Sequence, residues 1–179
     1  MKKSFIVVMV CGALLVSATA WALNRNESLW IPSEHKDFFV NAEGEPVVII
    51  VVGENAPATD VTGAAWIAAA VETLAQEKGA TIDPESLIVN DNEVTEDMKN
   101  TYNILLVGGP ELIDYNGERV IRNTLTKELC DTKHLTLEGS TYMYVINNAF
   151  AKGKDVIILA GEGKEGPKNN AKKLADDMV

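Results

Sequence analysis

The stretch VVIIVVGENAPATDVTGAAWIAAAVETLAQ, residues Val47 to Gln76, decides the fold. It opens on six consecutive β-branched residues, a run that suits a central strand covered on both faces. After Gly53 and a short loop, Val61, Ala64, Ala65, Ala68, Val71, Leu74 and Ala75 recur at helical spacing. Asp60 or Thr59 stands where the helix would be capped, and Lys78-Gly79 where it would end. Strand, glycine turn and helix also begin many nucleotide-binding folds, but there the glycines let a pyrophosphate approach the helix N-terminus. Here the loop VGENAPATDV holds one glycine, and Glu54 and Asp60 occupy the place of the phosphates. Neither G-x-G-x-x-G nor a phosphate-loop lysine is present. Gly53 is therefore expected to turn the chain, Asp60 to cap the helix at roughly 1 kcal/mol, and no nucleotide cofactor is expected.

Two later segments, NILLVGGPEL and DVIILAGEGK, repeat the form of apolar strand, glycine and loop, and SLIVN reads as a shorter strand. Gly108, Gly109 and Gly161 then read as strand-ending turns. NEVTEDMKN is a polar turn of helix, Glu118 to Leu129 an amphipathic helix on Val120, Ile121, Leu125 and Leu129, and NNAKKLADDM a closing helix. HLTLEG alternates weakly, like an edge strand, while periodicity leaves YMYVIN open between strand and helix. The expected fold class is α/β: a Rossmann-like layered sheet, largely parallel with room for an antiparallel edge, and helices packed on it. The expected organisation is a signal peptide over 1–22, a lead-in over 23–45 and a single α/β domain over 46–179.

Met1-Lys2-Lys3, the apolar run FIVVMVCGALLV and the small residues Ala20 and Ala22 form a secretory signal with cleavage after Ala22. The alternative is an uncleaved anchor with Trp21, Leu23 and Trp30 at the interface, the one route to a membrane. Cys11 lacks the small preceding residue of a lipoprotein site. Removal of the signal leaves Cys130 alone, so the domain relies on its core without an internal disulfide, and Cys130 reads as a small buried hydrophobe. The net charge of −10 falls to −12 with the loss of Lys2 and Lys3. This acidity argues against nucleic acid as a partner and is compatible with surface divalent cations such as calcium. The polar lead-in carries Trp30, Phe38 and Phe39, which either pack on the domain or form a contact patch toward another protein.

Sequence patterns for catalysis are thin. Ser140 in EGSTY is no nucleophile elbow. His35 and His134 are the only histidines, and Cys130 lies four residues before His134, but Asp131-Thr132 reads as a helix exit and two ligands are too few for structural zinc. NDNEVTED and ADD lack calcium-hand spacing and read as solvated faces, and whether the chain holds a metal is left undecided. Lys164 and Lys168 are the cations available to an anion in the glycine-containing loop AGEGKEGPKNN. No catalytic residue is assigned. The loops after the strands leave a small ligand-binding domain as the alternative function.

In their order and spacing, VVGENAPATDVTGAAWIAAAVETLA, NILLVGGPEL and DVIILAGEGKEGPKNNAKKLADDM resemble the methanogen-type archaeal S-layer proteins, from about Val47 to Met178. The resemblance implies a surface-exposed, non-catalytic assembly module on a Rossmann-like sheet, whose partners are itself or other envelope proteins. Two departures stand out: the family's proteins are much longer, and Pro167 falls where an uninterrupted helix start would be expected. The chain is accordingly expected to be a stand-alone relative, a minor component of the envelope or a different secreted protein carrying the same module.

Overall fold

The computed structural model describes residues 31–137 and 143–179. Trp30, the signal segment and its cleavage site lie outside them, as does Ser140. In chain order the elements are β1 (Val48–Val52), α1 (Ala58–Glu77), β2 (Ile88–Asn90), α2 (Glu96–Thr101), β3 (Asn103–Val107), β4 (Glu111–Ile113), β5 (Arg119–Ile121), α3 (Thr124–Lys133), β6 (Tyr144–Ala151), β7 (Lys154–Leu159) and α4 (Gly166–Met178). Five strands form one sheet in the order β2-β1-β3-β7-β6, and β4 and β5 form a separate hairpin. β1, β2, β3 and β7 run parallel, and β6 pairs antiparallel with β7 at the edge. The fold is α/β, mostly parallel with an antiparallel edge.

Period-two alternation divides the core. Val48, Ile50 and Val52 of β1, with Leu105, Val107, Ile157 and Leu159, meet α1 and α4 on one face. Ile49 and Val51, with Ile104, Leu106, Val156 and Ile158, meet Leu125 and Leu129 of α3 and Met98 of α2 on the other. Every residue of β1 is buried, as the unbroken β-branched run requires. α1 and α4 approach closely because both are small at the crossing: a β-carbon on Gly63 would stand 2.9 Å from that of Ala171. Pro167 is the second residue of α4 and disturbs nothing, because the first turn of a helix leaves its N–H groups unpaired anyway. α1 closes at Lys78, with Gly79 at φ +83°.

Several sequence expectations are corrected. Residues Arg119–Ile121 form β5 and the helix begins at Thr124, because the Asn123 side chain caps it by accepting the Thr126 N–H. That helix runs on through Asp131 and Thr132 to Lys133 and ends at His134, whose φ of 53° is left-handed. His134 to Leu137 form no strand; the antiparallel edge is β6, which begins within YMYVIN.

Phe38 and Phe39, expected either to pack on the domain or to form a contact patch, take the first course: they are 7% and 0% exposed and stack edge-on with ring centres 5.0 Å apart. Their large apolar rings outweigh the polar sequence around them. The segment is tied down as well. Val40 bridges Pro46, the Asn103 side-chain amide donates to the Phe38 carbonyl at 2.9 Å, and Lys36 pairs with Glu77 at 3.1 Å.

Candidate functional site

In open α/β sheets, ligands bind beyond the carboxyl ends of the strands, in the crevice where the strand order reverses. β1 lies between β2 and β3, so that crevice opens above Val52 and Val107. It is filled by the protein's own Arg122, Asn123 and Thr124, delivered there by the β4–β5 hairpin.

Arg122 is 3% exposed and Asp60 0%. The Arg122 Nε donates to Asp60 Oδ2 at 2.7 Å and its Nη2 to Oδ1 at 2.6 Å, a bidentate pair. The guanidinium also donates to the carbonyls of Gly163 at 2.7 Å and Lys164 at 3.0 Å, which fastens the loop after β7. Asp60 is the third residue of α1, so its carboxylate sits in the positive field of the helix N-terminus, where a phosphate would otherwise be drawn. Burial pushes the Asp60 carboxyl above its ordinary value, and the hydrogen bonds and charge of Arg122 pull it back only in part.

The expected cap is therefore a correction. Pro57 holds the cap position with no side-chain bond, Thr59 donates to the Lys164 carbonyl at 2.9 Å, and Asp60 turns inward to Arg122. Gly53 begins the expected turn, its carbonyl accepting the Ala56 N–H at 3.0 Å, and it also permits close approach: a β-carbon there would stand 1.7 Å from the Arg122 carbonyl oxygen. Gly108 does need its freedom, with φ +115° and Asp60 Oδ2 2.9 Å from a would-be β-carbon. A β-carbon on Gly109 would make only an ordinary contact, 3.9 Å from the Glu111 carbonyl oxygen, and Gly161 packs on Gly166, whose backbone lies 2.8 Å from a would-be β-carbon.

A second carboxylate holds the rim. Asp91 accepts the Glu54 N–H at 2.9 Å and the Thr124 N–H at 2.6 Å, together with the Thr124 hydroxyl. Burial alone would raise its carboxyl, but these bonds and one from the Asn92 N–H outweigh burial and hold it below its ordinary value. Asp91 thus joins the exit of β1 to the start of α3. The cap of α3 at Asn123 is itself fully buried.

Asp91 lies in NDNEVTED, which reads as a solvated face in the sequence but turns inward here, while Arg122 and Asn123 carry no sequence expectation of a role. Two signals were there to be used. Asn116-Gly117 sits between Leu112-Ile113 and Val120-Ile121, a hairpin pattern, and Asn123 immediately precedes a helix-forming segment.

Beside the filled crevice lies a solvent-open cleft of about 450 Å³. The hairpin forms one wall through Leu112, Ile113 and Arg119, and Tyr144 and the loop around Glu162 and Lys164 form others. Lys168 pairs with Glu165. Cys130 is half-buried, and burial pushes its thiol up to about 11. Among the described residues no cluster of three histidine, cysteine or acidic side chains could hold a metal ion, and no helix is long and apolar enough to cross a membrane.

The fold and this arrangement define an α/β domain whose ligand crevice is closed by its own chain. It belongs to the S-layer like family, outer domain, which it matches over residues 31–90 and 84–178. Membership carries a structural role in the cell envelope, at the cell surface. No curated protein matches the chain.

Proposed function

We propose that the chain is an exported, non-catalytic module of an archaeal cell envelope that assembles with copies of itself or with neighbouring envelope proteins, without a resident cofactor. One observation carries this reading: the crevice that would take a ligand is filled by a buried Asp60–Arg122 pair and the capped start of α3. The family match and the secretory pattern of residues 1–22 support it. Electron microscopy and light scattering of the secreted protein test it, with and without calcium; ordered assemblies are expected, and a monomer at every concentration and calcium level refutes it. Intact mass should begin after Ala22, and a retained Met1 would contradict export with cleavage.

The cleft of about 450 Å³ favours a second reading, a small exported ligand-binding domain using the loops after β3 and β7. Nucleotides separate the two readings at the filled crevice. At a hundred times its dissociation constant a ligand adds about 2.7 kcal/mol of stability, so millimolar nucleotide that leaves Tm unchanged agrees with the structural reading, and a clear rise supports the other.

A further inference from the structure

The β4–β5 hairpin delivers Arg122 but leaves its own apolar side chains outside both cores. Ile113 is 55% exposed, Ile121 46% and Tyr115, at the tip, 90%. An isolated two-stranded hairpin is marginal in water and has little reason to carry isoleucines outward. The register gives those isoleucines a pattern. Glu111 lies opposite Ile121, and Ile113 opposite Arg119. Alternate residues point to opposite faces, so these four share one face and Leu112 and Val120 the other. On the shared face the isoleucines occupy one diagonal, while Glu111 and Arg119, 3.1 Å apart, occupy the other.

We infer that this face is a two-fold contact between two copies of the chain. The inference rests on the self-assembling reading above and names the surface used. Charge complementarity selects the occupant. The whole chain carries −10, but the face holds one acid and one base, so two acidic molecules meet there without net repulsion. A two-fold axis lying in the contact along the Ile113–Ile121 diagonal lays each isoleucine on its counterpart. The same rotation sets each Glu111 over the second copy's Arg119. An axis midway between the strands, or one perpendicular to them, sets a charge over an isoleucine instead, and an axis along the Glu111–Arg119 diagonal sets like charges over one another, so one orientation satisfies all four residues. Glu111, Ile113 and Arg119 also border the open cleft, so the second hairpin seats across its mouth. The patch is small, so the single contact is weak and gains strength by repetition in an array.

Charge reversal tests the contact on the full secreted protein. Glu111→Arg and Arg119→Glu should each weaken self-association by at least about tenfold, because each sets like charges over one another twice. Mixing the two variants in equal amounts should restore association, since acid again meets base across the contact although neither chain can form the pair internally. Oxidation of Ile121→Cys or Ile113→Cys should yield covalent dimers, and Thr73→Cys on the exposed face of α1 should not. Circular dichroism confirms that the variants are folded. A mixture no more associated than its components, or cysteine cross-linking no greater at the hairpin than at Thr73→Cys, overturns the inference. If the wild type assembles and the reversals change nothing, this contact is wrong and the envelope reading stands; a wild type that never associates overturns both.

Discussion

A β-carbon on Gly53 would stand 1.7 Å from the carbonyl oxygen of Arg122, with the carbonyl carbon at 2.7 Å. The two residues are far apart in sequence, yet the close of β1 and the end of the hairpin are in backbone contact. Rigid backbone on both sides leaves a methyl group nowhere to go.

Gly53→Ala should therefore displace residues 122–124 and destabilise the fold by at least the roughly 1–3 kcal/mol of an overpacked core. Gly79→Ala is the comparison. Nothing lies within 4 Å there, and only the positive φ of 83° is unfavourable, so its cost should be roughly 1 kcal/mol. Urea unfolding of both variants measures the difference, and equal effects would contradict the close-approach role.

Asp60→Ala and Arg122→Ala should each cost about 3–5 kcal/mol, well above the roughly 1 kcal/mol of a lost helix cap, because each leaves a buried charge unpaired. The double replacement Asp60→Leu with Arg122→Met should cost less than the sum of the single changes, since it removes both charges together. Additive effects in the unfolding free energies would show that the two side chains act separately.

Asp91 has a definite pH signature. Its folded-state value lies below the ordinary 3.8, so the unfolded chain binds the proton more readily. The stabilisation is present in full above the unfolded value and is lost as pH falls through the lowered folded one. Asp91→Asn should destabilise by about 1–3 kcal/mol at neutral pH and lose much of that difference in acid, when compared with the wild type by urea titration. Asp60, whose carboxyl is raised, is common to both proteins and cancels in the comparison, and a difference that grows in acid would mean that the lowered Asp91 carboxyl is not the group responsible.

The Cys130 thiol, pushed up to about 11, should be roughly one part in a thousand thiolate at pH 8. Iodoacetamide should modify it slowly in the folded protein and quickly in urea. Fast labelling of the native state would mean that the thiol is neither desolvated nor raised.

The parallel core was legible because its signal is local. Six β-branched residues, a glycine and a helical repeat stand in one window of sequence, and three such windows define a layered sheet. The filled crevice was not legible, because it is made by residues from four separate segments. Asp60 looked like a cap because it precedes an apolar repeat, and nothing nearby announces an arginine 62 residues later. β5 is hidden in the sequence because Val120, Ile121, Leu125 and Leu129 fit a 3.6-residue period across the strand–helix junction. The polar neighbours of Phe38 and Phe39 leave packing and contact both open in the sequence, and short 3-10 turns at Pro32–Glu34 and Lys36–Phe38 decide it by folding the segment inward.

β6 breaks register between Ile146 and Ala151, where Asn148 adopts a left-handed φ of 51° and its amide is taken by Asp155 at 2.8 Å. The opposite margin of the sheet, β2, is only three residues long. Neither border offers the long, flat ribbon that amyloid growth copies from chain to chain. Under the assembling reading proposed above, a protein crowded against its own kind is thereby steered away from fibrils, and its encounters are left to side chains, which can be specific, instead of to backbone, which pairs with anything.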